Sequence, residues 1–222
     1  MLTIKKFVFN PIQENTYVIH DDTKEAVIID CGAFYHEERI ALKNYMTEND
    51  LQLKHLLCTH GHLDHCFGNI FIWQEYGLKA EVMEEDEFLI AHLDEQARSF
   101  FGFELQDEVP PVSLIRHQTS DIKHQTSNSI TFGTHQLSII PTPGHTPGSV
   151  FFYCKEEATA FSGDTLFNMS IGRTDFERGS YHDILNSLQI IKNTLPPETA
   201  LCCGHGPQTT MQQELDANIY LR

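Results

Sequence analysis

Between Thr59 and His65 the chain reads Thr-His-Gly-His-Leu-Asp-His, which places the imidazoles of His60, His62 and His65 and the carboxylate of Asp64 within six residues. The block follows the apolar run Lys-His-Leu-Leu-Cys ending at Cys58. It therefore lies where a buried strand gives way to a loop, and nitrogen and oxygen donors crowded at such a point are ligands for a borderline divalent cation. Gly61 lets the backbone turn tightly, so that His60 and His62 can face one site while Asp64 and His65 can face another. Downstream, His145 lies in Pro141–Gly148, a loop with three prolines and two glycines. Asp164 follows Ala-Thr-Ala-Phe-Ser-Gly, where an anionic oxygen could bridge two cations, and His205 sits between Gly204 and Gly206. Each ends a run that reads as a strand, and strand ends in layered α/β folds converge on one edge. Five His and two Asp with no thiolate fit a two-metal centre. Two cations roughly 3.5–4 Å apart suit displacement chemistry, because they activate a water and stabilise the oxyanion that forms.

The elements that must position these groups follow from periodicity. Leu2–Phe9, Thr16–His20 and Ala26–Asp30 read as strands separated by turn formers, an antiparallel meander. His36–Asn49 has a helical stripe, Lys54–Cys58 reads as a buried strand, Phe67–Tyr76 as a helix and Ala80–Met83 as a short strand. From about residue 84 to 128 the pattern loosens into an excursion: an acidic helical piece, then an exposed loop. That loop includes the echo His-Gln-Thr-Ser at His117–Ser120 and His124–Ser127, too short to be a repeat architecture. Strands near Gln136–Ile140, Ser149–Cys154 and Ala158–Ser162, a helix Tyr181–Asn193, a strand Ala200–Cys203 and a last helix from Gln208 complete the order. The alternation predicts an α/β fold with mixed sheets, its two halves packed face to face in one domain spanning 1–222.

Composition excludes several function classes. The chain has 222 residues with 15 Lys and Arg against 31 Asp and Glu, a net charge of −16. A nucleic-acid backbone or an anionic membrane would be repelled. No apolar stretch reaches the roughly 18–20 residues that span a bilayer, and Lys5, Lys6, Pro11 and Glu14 interrupt the start where a signal peptide is continuously apolar. A cytoplasmic protein is expected, with its six cysteines reduced. Cys58 and Cys66, which flank the ligand block, read as small apolar residues, and Phe100, Phe101 and Phe103 as core or contact aromatics or the lining of a substrate mouth.

The block at His60–His65, Gly-His-Thr-Pro-Gly-Ser at His145, Ser-Gly-Asp-Thr-Leu-Phe at Asp164 and Gly-His-Gly-Pro at His205, in that order, resemble the metallo-β-lactamase superfamily. The resemblance implies a four-layer αββα sandwich. Phe161–Phe176 and the ending Glu-Leu-Asp-Ala-Asn-Ile-Tyr-Leu are similar to small glyoxalase II-like hydrolases. By that resemblance His60, His62 and His145 hold one metal, Asp64, His65 and His205 the other, and Asp164 bridges them. Zinc is the first expectation for both, with iron or manganese as alternatives. In full-length glyoxalase II enzymes a further helical domain, a cation and a tyrosine grip glutathione. Here the chain stops 15 residues after Pro207 (222 − 207), Arg173 matches the cation, and Asp175 stands in the tyrosine's place. Arg173 is thus read either as a substrate-binding group or as a surface arginine paired with Asp175.

The expected activity is hydrolysis of a small thioester by a dinuclear metal centre, with Asp64 orienting or deprotonating the attacking water. A persulfide dioxygenase with one iron shares much of the first ligand block and a segment like Gly172–Phe176. A non-catalytic metal-binding module is the alternative from another class. The sequence leaves the acyl group, the thiol carrier, the native metal and the oligomeric state open.

Overall fold

A computed structural model describes residues 1–105, 108–116 and 129–222. The elements in order are β1 (Thr3–Phe9), β2 (Glu14–His20), β3 (Glu25–Ile29), α1 (His36–Glu48), β4 (Gln52–Leu57), α2 (Asn69–Tyr76), β5 (Ala80–Met83), α3 (Glu87–Ala91), α4 (Leu93–Gln96) and β6 (Val112–Ile115). The second half holds β7 (Ser129–Phe132), β8 (His135–Pro141), β9 (Val150–Cys154), β10 (Thr159–Gly163), β11 (Leu166–Phe167), β12 (Ser170–Ile171), α5 (Tyr181–Thr194), β13 (Ala200–Cys203), β14 (Thr209–Thr210) and α6 (Met211–Ala217).

One sheet runs β1-β2-β3-β4-β5-β6, antiparallel through β3 and parallel beyond it. The other runs β14-β13-β10-β9-β8-β7 and is mixed, with β10 and β13 parallel. Strand alternation divides the apolar residues into layers. Tyr17, Ile19, Val27 and Ile29 point from the first sheet onto Phe132, Leu137, Phe152 and Phe161 of the second. Val18, Ala26, Ile28 and Leu56 point outward onto Leu42, Met46 and Ile72 of α1 and α2. Phe151, Tyr153 and Leu201 likewise meet Leu188, Ile191 and Met211 of α5 and α6. These three clusters make the expected αββα sandwich. No helix among the described residues is long and apolar enough to cross a membrane.

Several element assignments differ from the sequence reading, which did not include the short strands β7, β11 and β12. Val112–Ile115, read as exposed loop, pairs in parallel with β5 as an edge strand. Pro110 and Pro111 precede it and mask the signal, and a strand entry at a sheet edge tolerates proline. The last helix begins at Met211 rather than Gln208, because Thr209 and Thr210 first pair with β13, after which the Thr210 hydroxyl caps the helix by accepting from Gln213 N at 3.2 Å. The acidic piece is helical, as α3, α4 and a π-helical turn Ala97–Phe101. The His-Gln-Thr-Ser echo lies outside the described residues.

Candidate metal centre

All seven candidate ligands meet at one edge of the sandwich. His60, His62, Asp64 and His65 leave the end of β4, Asp64 and His65 within a single 3-10 turn, Leu63–His65. His145 comes from the β8–β9 loop, Asp164 directly follows β10 and His205 follows β13. The His62 Nδ1 and His145 Nε2 atoms lie 2.9 Å apart, and His65 Nε2 is 3.2 Å from His205 Nε2. Asp64 Oδ2 lies 3.1 Å from His205 Nε2 and 3.3 Å from His65 Nε2. Asp164 reaches both groups, at 3.3 Å from His65 and 3.7 Å from His145.

The scaffold turns the outer nitrogen of three rings toward acceptors. His145 Nδ1 donates to the Arg173 carbonyl at 2.8 Å, and His65 Nδ1 to Asp30 Oδ2 at 2.9 Å. Thr59 Oγ1 donates to Asp30 Oδ2 at 2.8 Å and can therefore accept from His60 Nδ1 at 3.1 Å. Each hydrogen bond engages Nδ1 and leaves Nε2 as the nitrogen that faces inward. Asp30 thus sits behind both imidazole groups, and it also accepts from Thr59 N at 2.7 Å. Asp86 joins the two halves: its carboxylate accepts from Gly61 N, Thr146 Oγ1 and Gly148 N at 2.7–2.8 Å, gripping the His60–His62 and His145 loops together. Asn10 donates to the Asp64 carbonyl at 2.9 Å, and Asn15 N to that of Gly204 at 2.7 Å.

Close approach requires glycine at several places round the site, Gly61 and Gly204 among them. A Cβ on Gly61 would stand 2.9 Å from that of Leu89, and one on Gly204 would stand 2.3 Å from Asp164 Oδ1. Gly61 was expected for its tight turn; its crowding against Leu89 is what excludes a side chain.

Burial, then the neighbouring imidazoles, pushes His60 well below the usual histidine range, and takes His62 down to about 3. Burial opposes charge on His65 too, but Asp64, Asp164 and Asp30 outweigh it and hold it well above that range. Burial would raise Asp164, yet His65 and His205 keep it well below the carboxylate range.

The donor set fits divalent cations. His60, His62 and His145 form one group of convergent ligand atoms and Asp64, His65 and His205 another, while Asp164 groups with His60 and His65 between them, each group within 4.8 Å. Buried His60 Nε2 and Asp164 Oδ1 make no hydrogen bond among the described residues. A buried lone pair without a donor, as at His60 Nε2, is costly alone and satisfied by a cation. Cys58 and Cys66 are buried and belong to none of these groups.

A cleft of about 660 Å³ opens over the centre, with Asp64, Asp164, His62, His145 and His205 on its floor. Phe100 is at its mouth, 5.3 Å from the Phe176 ring, whereas Phe103 packs with Phe34 and Phe67 in the core; Phe101 touches both the cleft and Phe67. Arg173 lines the cleft and is paired with Asp175. Sequence reasoning missed Asp30, Asp86, Asn10, Asn15 and Phe176. Asp30 alone had a local signal, an aspartate ending the apolar run Ala26–Ile29.

Residues 9–205 match the family model described as the metallo-beta-lactamase superfamily. Hydroxyacylglutathione hydrolase GloC of Haemophilus influenzae is 37% identical over 210 residues, covering 94% of this chain and 93% of that protein. Among solved structures, the BLEG-1 B3 metallo-beta-lactamase superposes with a TM-score of 0.81 at 32% identity, covering 99% of both chains. TTHA1623, solved in a di-iron-bound form, gives a TM-score of 0.81 at 29% identity over 98% of this chain and all (100%) of that one.

Proposed function

The chain belongs to the metallo-β-lactamase superfamily, and from that premise we propose that it is a dinuclear metal-dependent hydrolase of thioesters. The observation that carries the reading is Asp164, set between two convergent ligand groups beneath an open cleft. His60, His62 and His145 would hold one divalent ion, Asp64, His65 and His205 the second, with Asp164 shared. Zinc is the first candidate, and the di-iron form of TTHA1623 supports iron as the alternative. Such a pair, when bound, lowers the pKa of water and polarises a carbonyl.

The remaining work belongs to this chain's residues. Asp64 stands on the cleft floor, where its carboxylate orients the attacking water and takes its proton. Asp30, Thr59 and the Arg173 carbonyl hold His65, His60 and His145 by their outer nitrogens, so that Nε2 of each ring is the one turned to the site. Ile12, Phe100, Phe167 and Phe176 form an apolar wall that accepts an acyl or thiol chain and excludes bulk water. The thioester class is supported by the name of the Haemophilus relative, and the net charge of −16 favours a small molecule over a polyanion as partner.

The test is elemental analysis of the purified protein with a panel of S-acyl thioesters on the same preparation. Two metals per chain and thioester turnover are expected. One iron and no second metal after reconstitution with zinc would replace this reading with a mononuclear dioxygenase. Because BLEG-1 is named a B3 metallo-beta-lactamase, the panel includes a β-lactam; turnover of it without any thioester would overturn the substrate class.

A further inference from the structure

Arg173 is the one Lys or Arg side chain lining the described cleft. Its Nε and Nη2 both donate to Asp175, at 2.6 Å each, and its guanidinium carbon lies 4.2 Å from the centroid of the Phe176 ring. Phe176 in turn packs edge-on against His62, with ring centroids 4.9 Å apart. The cation thus lies over the cleft wall with one bidentate edge filled and its charge balanced two residues away. A carboxylate arriving at the mouth finds the Nε/Nη2 edge of the guanidinium already held by Asp175, whereas an apolar group meets Ile12, Phe100, Phe167 and Phe176.

We propose that Asp175 is a specificity-determining residue: by occupying Arg173 it makes the cleft select thioesters whose carrier portion is uncharged at the mouth over those bearing a carboxylate there. An acid two residues from its partner competes at high effective concentration, so it acts as a built-in occupant of the anion position. Both side chains are more than half exposed, 61% for Arg173 and 67% for Asp175. The pair is therefore exchangeable, and its effect on selection is that of an exposed ion pair, about 2–5-fold. The inference takes its substrate from the thioesterase reading, but its test does not depend on turnover.

The experiment measures equilibrium binding by calorimetry to the metal-loaded protein. The probes are N-acetyl-S-hexylglutathione, a thioether that cannot be hydrolysed, and its uncharged dimethyl ester. Asp175→Asn should tighten the carboxylate probe relative to the ester by about 2–5-fold. Placed on an Arg173→Ala background, the same substitution should bring no gain. Arg173→Ala keeps the backbone carbonyl that holds His145, and metal content with near-ultraviolet circular dichroism reports whether each variant is folded and loaded. An unchanged ratio, a gain that persists without Arg173, or failure of either probe to bind would overturn the proposal. Absent thioester turnover alongside the expected binding shift would instead remove only the thioesterase reading.

Discussion

Asp164 lies within 3.7 Å of imidazoles from both ligand groups, so one carboxylate is shared where every other proposed ligand serves one side. Asp164→Ala should therefore abolish most activity and lower occupancy of both metals, whereas His205→Ala should mainly empty the second site. Elemental analysis of the two variants checks this, and loss of the same single metal from both would contradict the shared role. Asp30 acts one step back, through His65 Nδ1 directly and through Thr59 to His60. An amide at that position has one acceptor oxygen where the carboxylate uses two. Asp30→Asn should weaken metal binding about 10–100-fold, read by competition with a chromogenic chelator, while its thioester KM moves less than its kcat.

At the scale of elements, the end of the sandwich away from the metal ligands is fastened by the β2–β3 turn. Asp21 there is fully buried and accepts from Thr23, from Thr134 N at 2.7 Å and from His135 Nδ1 at 3.0 Å, reaching across to the β7–β8 turn. Glu157, from the β9–β10 turn, takes the other nitrogen of His135 at 3.2 Å. Burial would raise the Asp21 carboxyl, but the hydrogen bonds from Thr23, Thr134 and His135 outweigh it and hold it well below the carboxylate range. A depressed folded-state pKa contributes stability that is complete above the unfolded value of about 3.9 and is lost as pH falls toward the folded value. Asp21→Asn should cost about 1–3 kcal/mol at neutral pH, measured by urea unfolding. The gap between variant and parent should narrow below about pH 4; a gap that widened on acidification would have the wrong sign for this cause.

For the whole molecule, four proposed ligands follow strand β4 of the first sheet and three come from the second. Metal bound there would fasten the two sheets at one edge, in addition to the apolar layer between them. Binding only to the folded state stabilises it by mass action, about 2.7 kcal/mol when free metal is 100 times Kd. In a chain of this size that is a rise of roughly 5–10 °C in the thermal midpoint. Scanning calorimetry before and after exhaustive chelation should show the midpoint fall and return on adding metal. An unchanged midpoint with metal analysis at zero would mean that these residues do not fasten the fold.

The block His60–His65, the loops around His145 and His205 and the position of Asp164 were legible in the sequence because spacing within a short segment is covalent. Three imidazoles on one turn, or a histidine between glycines after an apolar strand, carry their chemistry locally. The α/β class and the packing of two halves face to face were equally local, since a strand's alternation and a helix's stripe decide which face is apolar, whereas the four layers came from the resemblance. Contacts between distant segments carry no such mark. Asp86 lies 25 residues from Gly61 and 62 from Gly148, yet its carboxylate holds both. Asn10 and Asn15 read only as turn formers until the sandwich brought them onto the backbones of Asp64 and Gly204. The four-residue strand β6 was hidden because a short edge strand takes its identity from the neighbour it pairs with. The sequence left Arg173 between two roles, and only the folded loop decided its state. There the guanidinium meets Asp175 on one side and Phe176 on the other, because backbone conformation, which spacing does not report, sets which groups share a cleft wall.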